Sequence, residues 1–336
     1  MRDALERARR DVATLVSVAP RQVVFTSGAT ESINAAVWGA TRAAPGAPVL
    51  CAAVEHSAVR DASTRLAPTE TLAVDGSGRL ELEALRERLA STTLPRPALV
   101  HCQWGNHEVG TLQPVHDVVA SCRQAGVLVH VDAAAACGHV PLDLGALDAD
   151  LVSLSAHKLG ALPGAGALIV RRGQRIEPLL VGGEQERGRR AGLEALPALL
   201  AFGAAAVALT AGTLEAEARR ARGQIADLVE AALSVAGVTV VGPGPEERLP
   251  HLVCLGVDGV EAEPVLIGLD RSGVAVHSGS ACSSESIEPS PVLEAMGVDA
   301  SHSLRLSVGW STTQEECDAF DDAFGRVVAD LRALRG

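Results

Sequence analysis

The chain has 336 residues, 47% of them hydrophobic and 21% charged, with a formal net charge of −12 at pH 7. That length and apolar content exclude a disordered chain and fit one large domain or two coupled ones, and the acidic balance argues against nucleic-acid binding. Seven cysteines at irregular spacing, with no Cys-x-x-Cys pair, indicate neither a disulfide framework nor a zinc site, and point to a reduced, cytoplasmic protein.

The first segment, MRDALERARRDVATLV, is charged and helix-patterned, and without an apolar run it does not read as a secretory signal. RQVVFTSG comes next as a strand ending in a glycine turn, with a helix opening at about Thr30. ALVHCQW, GVLVHVDA, ADLVSLSA and GALIVRR are further strand-like runs, separated by helical segments such as ELEALRERLA and PVHDVVASCRQAG. This alternation predicts an α/β domain with a mostly parallel sheet, helices on both faces and ligands at the carboxyl ends of the strands. The stretch 195–213, ALPALLAFGAAAVALTAGT, is uncharged but built largely of Ala and Gly; it reads as a buried helix, and no membrane span is expected. From residue 214 a long helix, the strands VTVVG and HLVCLGV, a helix at EAEPVLIGLDRSG, the strand LRLSVGW and a last helix after STTQEE predict a smaller α+β domain. Thr312 and Glu315 are expected to form the capping box of that last helix. The predicted division is 1–213 for the large domain and 214–336 for the small one.

Three stretches of the large domain carry chemistry. VVFTSGATES runs from a strand into small residues and a helix start, so the amides near Ala29 and Thr30 suit one phosphate; an ordinary βα turn with an N-cap fits equally. In VHVDAAAACG, Asp132 ends an apolar strand, placed either to pair with a protonated ring nitrogen or to cap the next helix. LVSLSAHKLG contains Lys158, the only lysine among the 29 Lys and Arg of the chain, directly after Ser155 and His157. A neutral amine forms an imine with an aldehyde, and arginine, which keeps its proton in proteins, cannot replace it. A phosphate cradle, a carboxylate for a ring nitrogen and an irreplaceable amine describe a pyridoxal phosphate site.

Eight stretches, FTSGATES, VEHSAV, NHEVGTLQPV, HVDA, SAHKLG, GGEQERGRRAG, SGSACSSESIEPS and SLRLSVGWSTTQEE, lie in one order across nearly the whole chain. In that order and spacing the sequence resembles the class-V aminotransferases of pyridoxal-phosphate fold type I, and among them the cysteine desulfurases. The resemblance implies a seven-stranded-type sheet in the large domain and a catalytic cysteine loop in the small one. It implies that Lys158 bonds pyridoxal 5′-phosphate, that Asp132 holds the ring nitrogen, and that His56 stacks on the ring and moves protons. Ala29, Thr30, Ser155 and His157 would bind the phosphate, Arg305 and Asn106 the substrate, and Cys282 would be the nucleophile that takes sulfur as a persulfide. A Gly/Ser-rich loop around a single thiol suits that role, although Cys282 could equally be a small residue in a turn. The implied reaction converts L-cysteine to L-alanine and passes sulfur to an acceptor protein, with iron–sulfur assembly, tRNA thiolation or another pathway as destination. A homodimer is implied, with 195–213 as a candidate contact.

The chain departs from the family in four places. Only one helix precedes RQVVF, where members carry a longer segment that helps close the site; either the chain is shortened or a partner completes the site. Ala135 replaces a glutamine that touches the ring hydroxyl, and His107 replaces the second residue of an Asn-Asn-Glu run at the same ring edge, so His107 is the candidate to supply the missing hydrogen bond. Leu193 stands where a threonine reaches the neighbouring subunit's phosphate, which removes a charge-assisted bond of about 1.5–3 kcal/mol. Two alternative readings stay open: a selenocysteine lyase or other class-V enzyme, and a non-catalytic, partner-binding homologue.

Overall fold

The computed structural model describes residues 1–209, 211–278 and 289–335, which form two compact units. The first unit comprises Met1–Ala73, Leu80–Gly105 and Gln113–Glu215. Its strands are β1 (Val23–Thr26), β2 (Val49–Ala52), β3 (Thr69–Leu72), β4 (Leu99–Gln103), β5 (Leu128–Asp132), β6 (Leu151–Ser155) and β7 (Gly166–Val170). They make one seven-stranded sheet in the order β1-β7-β6-β5-β4-β2-β3. Strands β3, β2, β4, β5 and β6 pair in parallel, and β7 runs antiparallel to both β6 and β1. All strands but β3 are buried almost throughout, which is why they read as continuous apolar runs.

The helices of this unit are α1 (Arg2–Leu15), α2 (Ala29–Ala43), α3 (Ser57–Leu66), α4 (Leu82–Ala90), α5 (Val115–Ala125), the single turn α6 (Leu144–Leu147) and α7 (Leu196–Ala208). Ile33 and Val37 of α2 and Val59 and Ala62 of α3 close over Val49, Cys51 and Leu99 of the sheet. Helix α7 lies against α1, with Phe202 fully buried and Gly203 so close to Ala8 that a Cβ there would stand 2.8 Å from its Cα. The uncharged stretch expected to be a contact between chains thus has one face packed inside its own chain, and leaves Leu200 and Val207 exposed. No single helix among the described residues is long and apolar enough to cross a membrane.

The second unit comprises Val74–Arg79, Asn106–Leu112 and Ala216–Gly336. Helix α8 (Ala211–Leu233) leads into an antiparallel sheet of β8 (Val238–Val241), β9 (Leu252–Val257), β10 (His277–Ser278) and β11 (Ser303–Ser307), in the order β10-β11-β9-β8. Helices α9 (Ala262–Arg271), α10 (Pro291–Ala295) and α11 (Gln314–Arg335) complete it. Ile225 and Leu228 of α8, Val265 and Leu269 of α9 and the stacked pair Phe320–Phe324 of α11 bury Leu255 and Leu304. The predicted division into 1–213 and 214–336 therefore differs from the units in two short excursions. Their hydrogen bonds give the reason: Leu112 N donates to Glu247 O at 2.9 Å, Leu249 N to Gly110 O at 2.8 Å, and Arg79 pairs with Glu247 at 2.9 Å. The capping box of α11 sits one residue later than predicted. Thr313 N donates to Glu316 Oε2 at 2.8 Å and Glu316 N to Thr313 Oγ1 at 3.3 Å, while Thr312 Oγ1 accepts from Gly309 N.

Candidate active site

Every candidate of the first unit leaves the same edge of its sheet. Thr26 is in register with Gly166 across β1 and β7, Gly166 with Ser155 across β7 and β6, Ser153 with Asp132 across β6 and β5, and Asp132 with Gln103 of β4. Ala29 and Thr30 open α2 after β1, and His56 precedes α3 after β2. Asp132 and Ser155 end β5 and β6, and His157 and Lys158 lie in the 3-10 turn Ala156–Leu159. Gly166 makes room for the first of these turns: a Cβ there would stand 2.6 Å from Gly28 Cα.

The donor set suits a phosphorylated aldehyde. The 15-residue helix α2 presents its first amides past Gly28, where helix geometry favours an anion. Ser155 Oγ and His157 Nδ1 are 2.9 Å apart, and His157 titrates below its usual range through burial and the nearby Lys158 charge. Lys158 is half-buried and forms no ion pair among the described residues. Asp132 is 8% exposed; its Oδ1 accepts from Ala134 N at 3.0 Å, and its Oδ2 has no hydrogen bond among the described residues. The helix expected after Asp132 is a turn instead, and one carboxylate oxygen caps that turn while the other is available to a ligand.

Four supporting side chains carry no recognisable sequence signal. His56 Nδ1 accepts from Ala58 N at 3.0 Å, so the neutral ring carries its proton on Nε2. The segment in front of it is fixed by fully buried Glu55, which accepts from Gln103 N at 2.7 Å, and by Gln103 Nε2, which donates to Val54 O at 2.7 Å. His139 is held neutral beside Lys158, pushed down to about 4 by burial and by that charge. Fully buried His130 completes the set, because it bonds Ser153, the register partner of Asp132. His101 Nδ1 and His130 Nδ1 are 2.9 Å apart, and His130 Nε2 meets Ser153 Oγ at 2.7 Å.

That pair sets an acid limit. Burial holds His130 at about 4, against an ordinary value of 6.5. As pH falls below 6.5 the unfolded chain binds a proton that the folded chain refuses, so stability drops until about pH 4, by about 3 kcal/mol in total. Urea unfolding midpoints measured across that window should flatten in His130→Phe; an equally steep profile would refute the assignment.

In the second unit, Arg305 on β11 donates from Nη1 to His107 O at 3.1 Å, so the structure brings Arg305 to the 106–112 segment. Asn106 is fully buried, and its Oδ1 accepts from Glu108 N and Val109 N at 2.8 Å each, which makes it the former of that turn. His107 Nε2 lies 3.4 Å from Glu108 Oε1. Cys282 lies outside the described residues. The other six cysteines are all buried free thiols. Burial pushes Cys51, Cys122, Cys137 and Cys254 up to about 12 and raises Cys102 well above the usual thiol range, so none of these is suited to act as a thiolate.

Comparison with known proteins agrees with this arrangement. The family model of aminotransferase class-V matches residues 1–320. A cysteine desulfurase of Bradyrhizobium diazoefficiens is 40% identical over 339 residues, 98% of this chain and 85% of that protein. One of Gluconacetobacter diazotrophicus is 38% identical over 341 residues, 98% of this chain and 84% of that protein. A solved structure of a NifS-like protein is similar with a TM-score of 0.87 at 30% identity, over 98% of this chain and 88% of that one. Sequence, sheet order and edge chemistry lead to one conclusion: the chain belongs to the class-V aminotransferases and, within them, to the cysteine desulfurases.

Proposed function

We propose that the protein takes sulfur from L-cysteine, releases L-alanine and carries the sulfur as a persulfide on Cys282 to an acceptor protein. The observation that carries this reading is Lys158 at the same sheet edge as Asp132, Ser155, His157 and the start of α2, in a chain of this family. Pyridoxal 5′-phosphate, when bound, supplies a protonated conjugated ring that accepts electron density from the substrate's α-carbon. Lys158 holds its aldehyde carbon and moves the proton at the substrate Cα. Asp132 keeps the ring nitrogen protonated, and the α2 amides at Ala29 and Thr30, with Ser155 and His157, bind the phosphate. His56 stacks on the ring, and Arg305 clamps the substrate carboxylate. The Cys282 thiolate attacks the substrate sulfur. The Cβ–S bond breaks with its electron pair passing to Cβ, which takes up a proton, so thiol plus cysteine yields persulfide plus alanine without an external oxidant.

The exposed apolar side chains Val181, Leu193 and Val207 support a homodimer, and the buried free thiols support a reduced, cytoplasmic setting. The test is mass spectrometry after incubation with pyridoxal phosphate and L-cysteine. Wild type should gain one sulfur atom on Cys282 and release alanine, and Cys282→Ser should gain none. Alanine without a persulfide, or a persulfide on another cysteine, would sink the reading. His107→Ala should shift the absorbance band of the bound cofactor if His107 supplies the hydrogen bond that Ala135 lacks; an unchanged spectrum and affinity would exclude that role.

A further inference from the structure

The second unit contains a cavity of about 730 Å³ that the proposed chemistry does not use. Its wall is largely aliphatic, with Val229 and Leu233 of α8, Val240 of β8 and Pro243 and Pro245 beyond it; two arginines, Arg222 and Arg248, also line it. Arg248 is only 5% exposed, and its guanidinium has no hydrogen bond or carboxylate partner among the described residues. It cannot escape by deprotonation. Arg222 adds a second positive charge that repels the first. Its Nε is buried without a partner although the side chain is 39% exposed, and its one ion pair among the described residues is a 3.8 Å approach to Glu246, which is 80% exposed. Glu230, the carboxylate of the lining, is exposed and forms no ion pair among the described residues.

The Arg248 guanidinium opens to the cavity but has lost most of its solvent, so a carboxylate that reaches it there gains a charge-assisted contact at little further desolvation cost to the arginine. Arg248 is also held rigidly. Its backbone bridges Thr111, and its stem lies so close to Gly110 that a Cβ there would stand 2.5 Å from Arg248 Cγ. At φ +83 Gly110 adopts a conformation that suits glycine and leaves room for that stem. The guanidinium is therefore preorganised at an aliphatic cavity of ligand size.

We propose that this cavity binds a small carboxylate with an aliphatic body: the carboxylate meets Arg248 and Arg222, and the chain lies against Val229, Leu233 and Val240. Arginine's planar fork matches a carboxylate, and the apolar wall selects against a bare inorganic anion.

The probe is sodium valerate, titrated calorimetrically into the full chain, with 1-pentanol and inorganic phosphate as controls. Valerate should bind saturably, and the two controls at least about tenfold more weakly. Arg248→Met keeps the stem on Gly110, removes the charge, and should weaken binding about tenfold or more, the loss of a charge-assisted contact. Val229→Trp fills the cavity from the partly exposed face of α8, leaves both arginines in place and should abolish binding; it decides the matter if Arg248→Met does not fold. No saturable binding overturns the proposal and leaves water as the partner of Arg248. Pentanol or phosphate binding as tightly as valerate overturns it as well. So does valerate binding that both variants leave unchanged, which would place the ligand at the clamp proposed for Arg305.

Discussion

Replacing Glu186 with alanine should cost the fold about 3–5 kcal/mol, because it takes both bidentate contacts from the buried Arg9 guanidinium, leaves it only the half-buried Glu6 at 3.1 Å as a carboxylate partner, and strips the Phe25 amide of its acceptor. Glu186 has a fully buried carboxylate, and Arg9, on α1, is 3% exposed. Arg9 donates to both carboxylate oxygens, at 2.6 and 2.7 Å, and Phe25 N of β1 donates to the same group at 2.8 Å. Arg9 also lies 4.6 Å above the Phe25 ring. One side chain thus ties together the first helix, the first strand and the segment 186–190, whose Arg190 in turn binds Glu31 of α2 at 2.8 Å. The check is urea unfolding of Glu186→Ala and of the double variant Arg9→Met/Glu186→Leu. The double variant should recover most of the loss, because it removes both charges and keeps apolar volume. A single-variant loss below about 1 kcal/mol would show that the pair carries little of the fold's stability.

The second large effect concerns Lys158. Lys158→Arg keeps the positive charge and most of the volume but removes the amine that forms an imine. Alanine formation should fall by at least about 10³-fold, within the range for losing a positioned proton-transfer group together with a covalent anchor. The absorbance band of the bound cofactor should shift or vanish, with the unfolding midpoint in the absence of cofactor close to wild type. Retained turnover with an unchanged spectrum would remove Lys158 from the chemistry.

Much of the sheet is legible in the sequence because its strands are buried on both faces and therefore read as unbroken apolar runs, as in β1 and β4 through β7. β2, VLCA, is as short, as apolar and as buried as β1, so burial alone does not separate the two. β3, TETL, is an edge strand with only Leu72 buried, so neither period nor composition marks it. The shifted capping box has a similar cause: two adjacent threonines and two adjacent glutamates offer the same pattern twice, and only the backbone decides which pair closes.

Within the candidate site, the legible residues come directly after apolar strands. The illegible ones act across long sequence separations. Glu55 reaches Gln103 over 48 positions, just as, outside the site, Arg9 reaches Glu186 over 177. Buried carboxylates and histidines of that kind are, in a single sequence, indistinguishable from polar surface residues. His139 shows the same difficulty, since nothing in CGHV signals its place beside Lys158.

The two excursions, 74–79 and 106–112, bear on how the molecule can be taken apart. A cut at residue 213 would not yield two self-sufficient fragments. The front piece would carry Gly110 and Leu112 away from the backbone bonds they make with Leu249 and Glu247, and the rear piece would lack the turn built on Asn106 that receives Arg305. A chimera that takes its second unit from a relative must transplant three segments together. For the same reason, a protease nick in either excursion should loosen the second unit, although the cut lies roughly a hundred residues or more before α8.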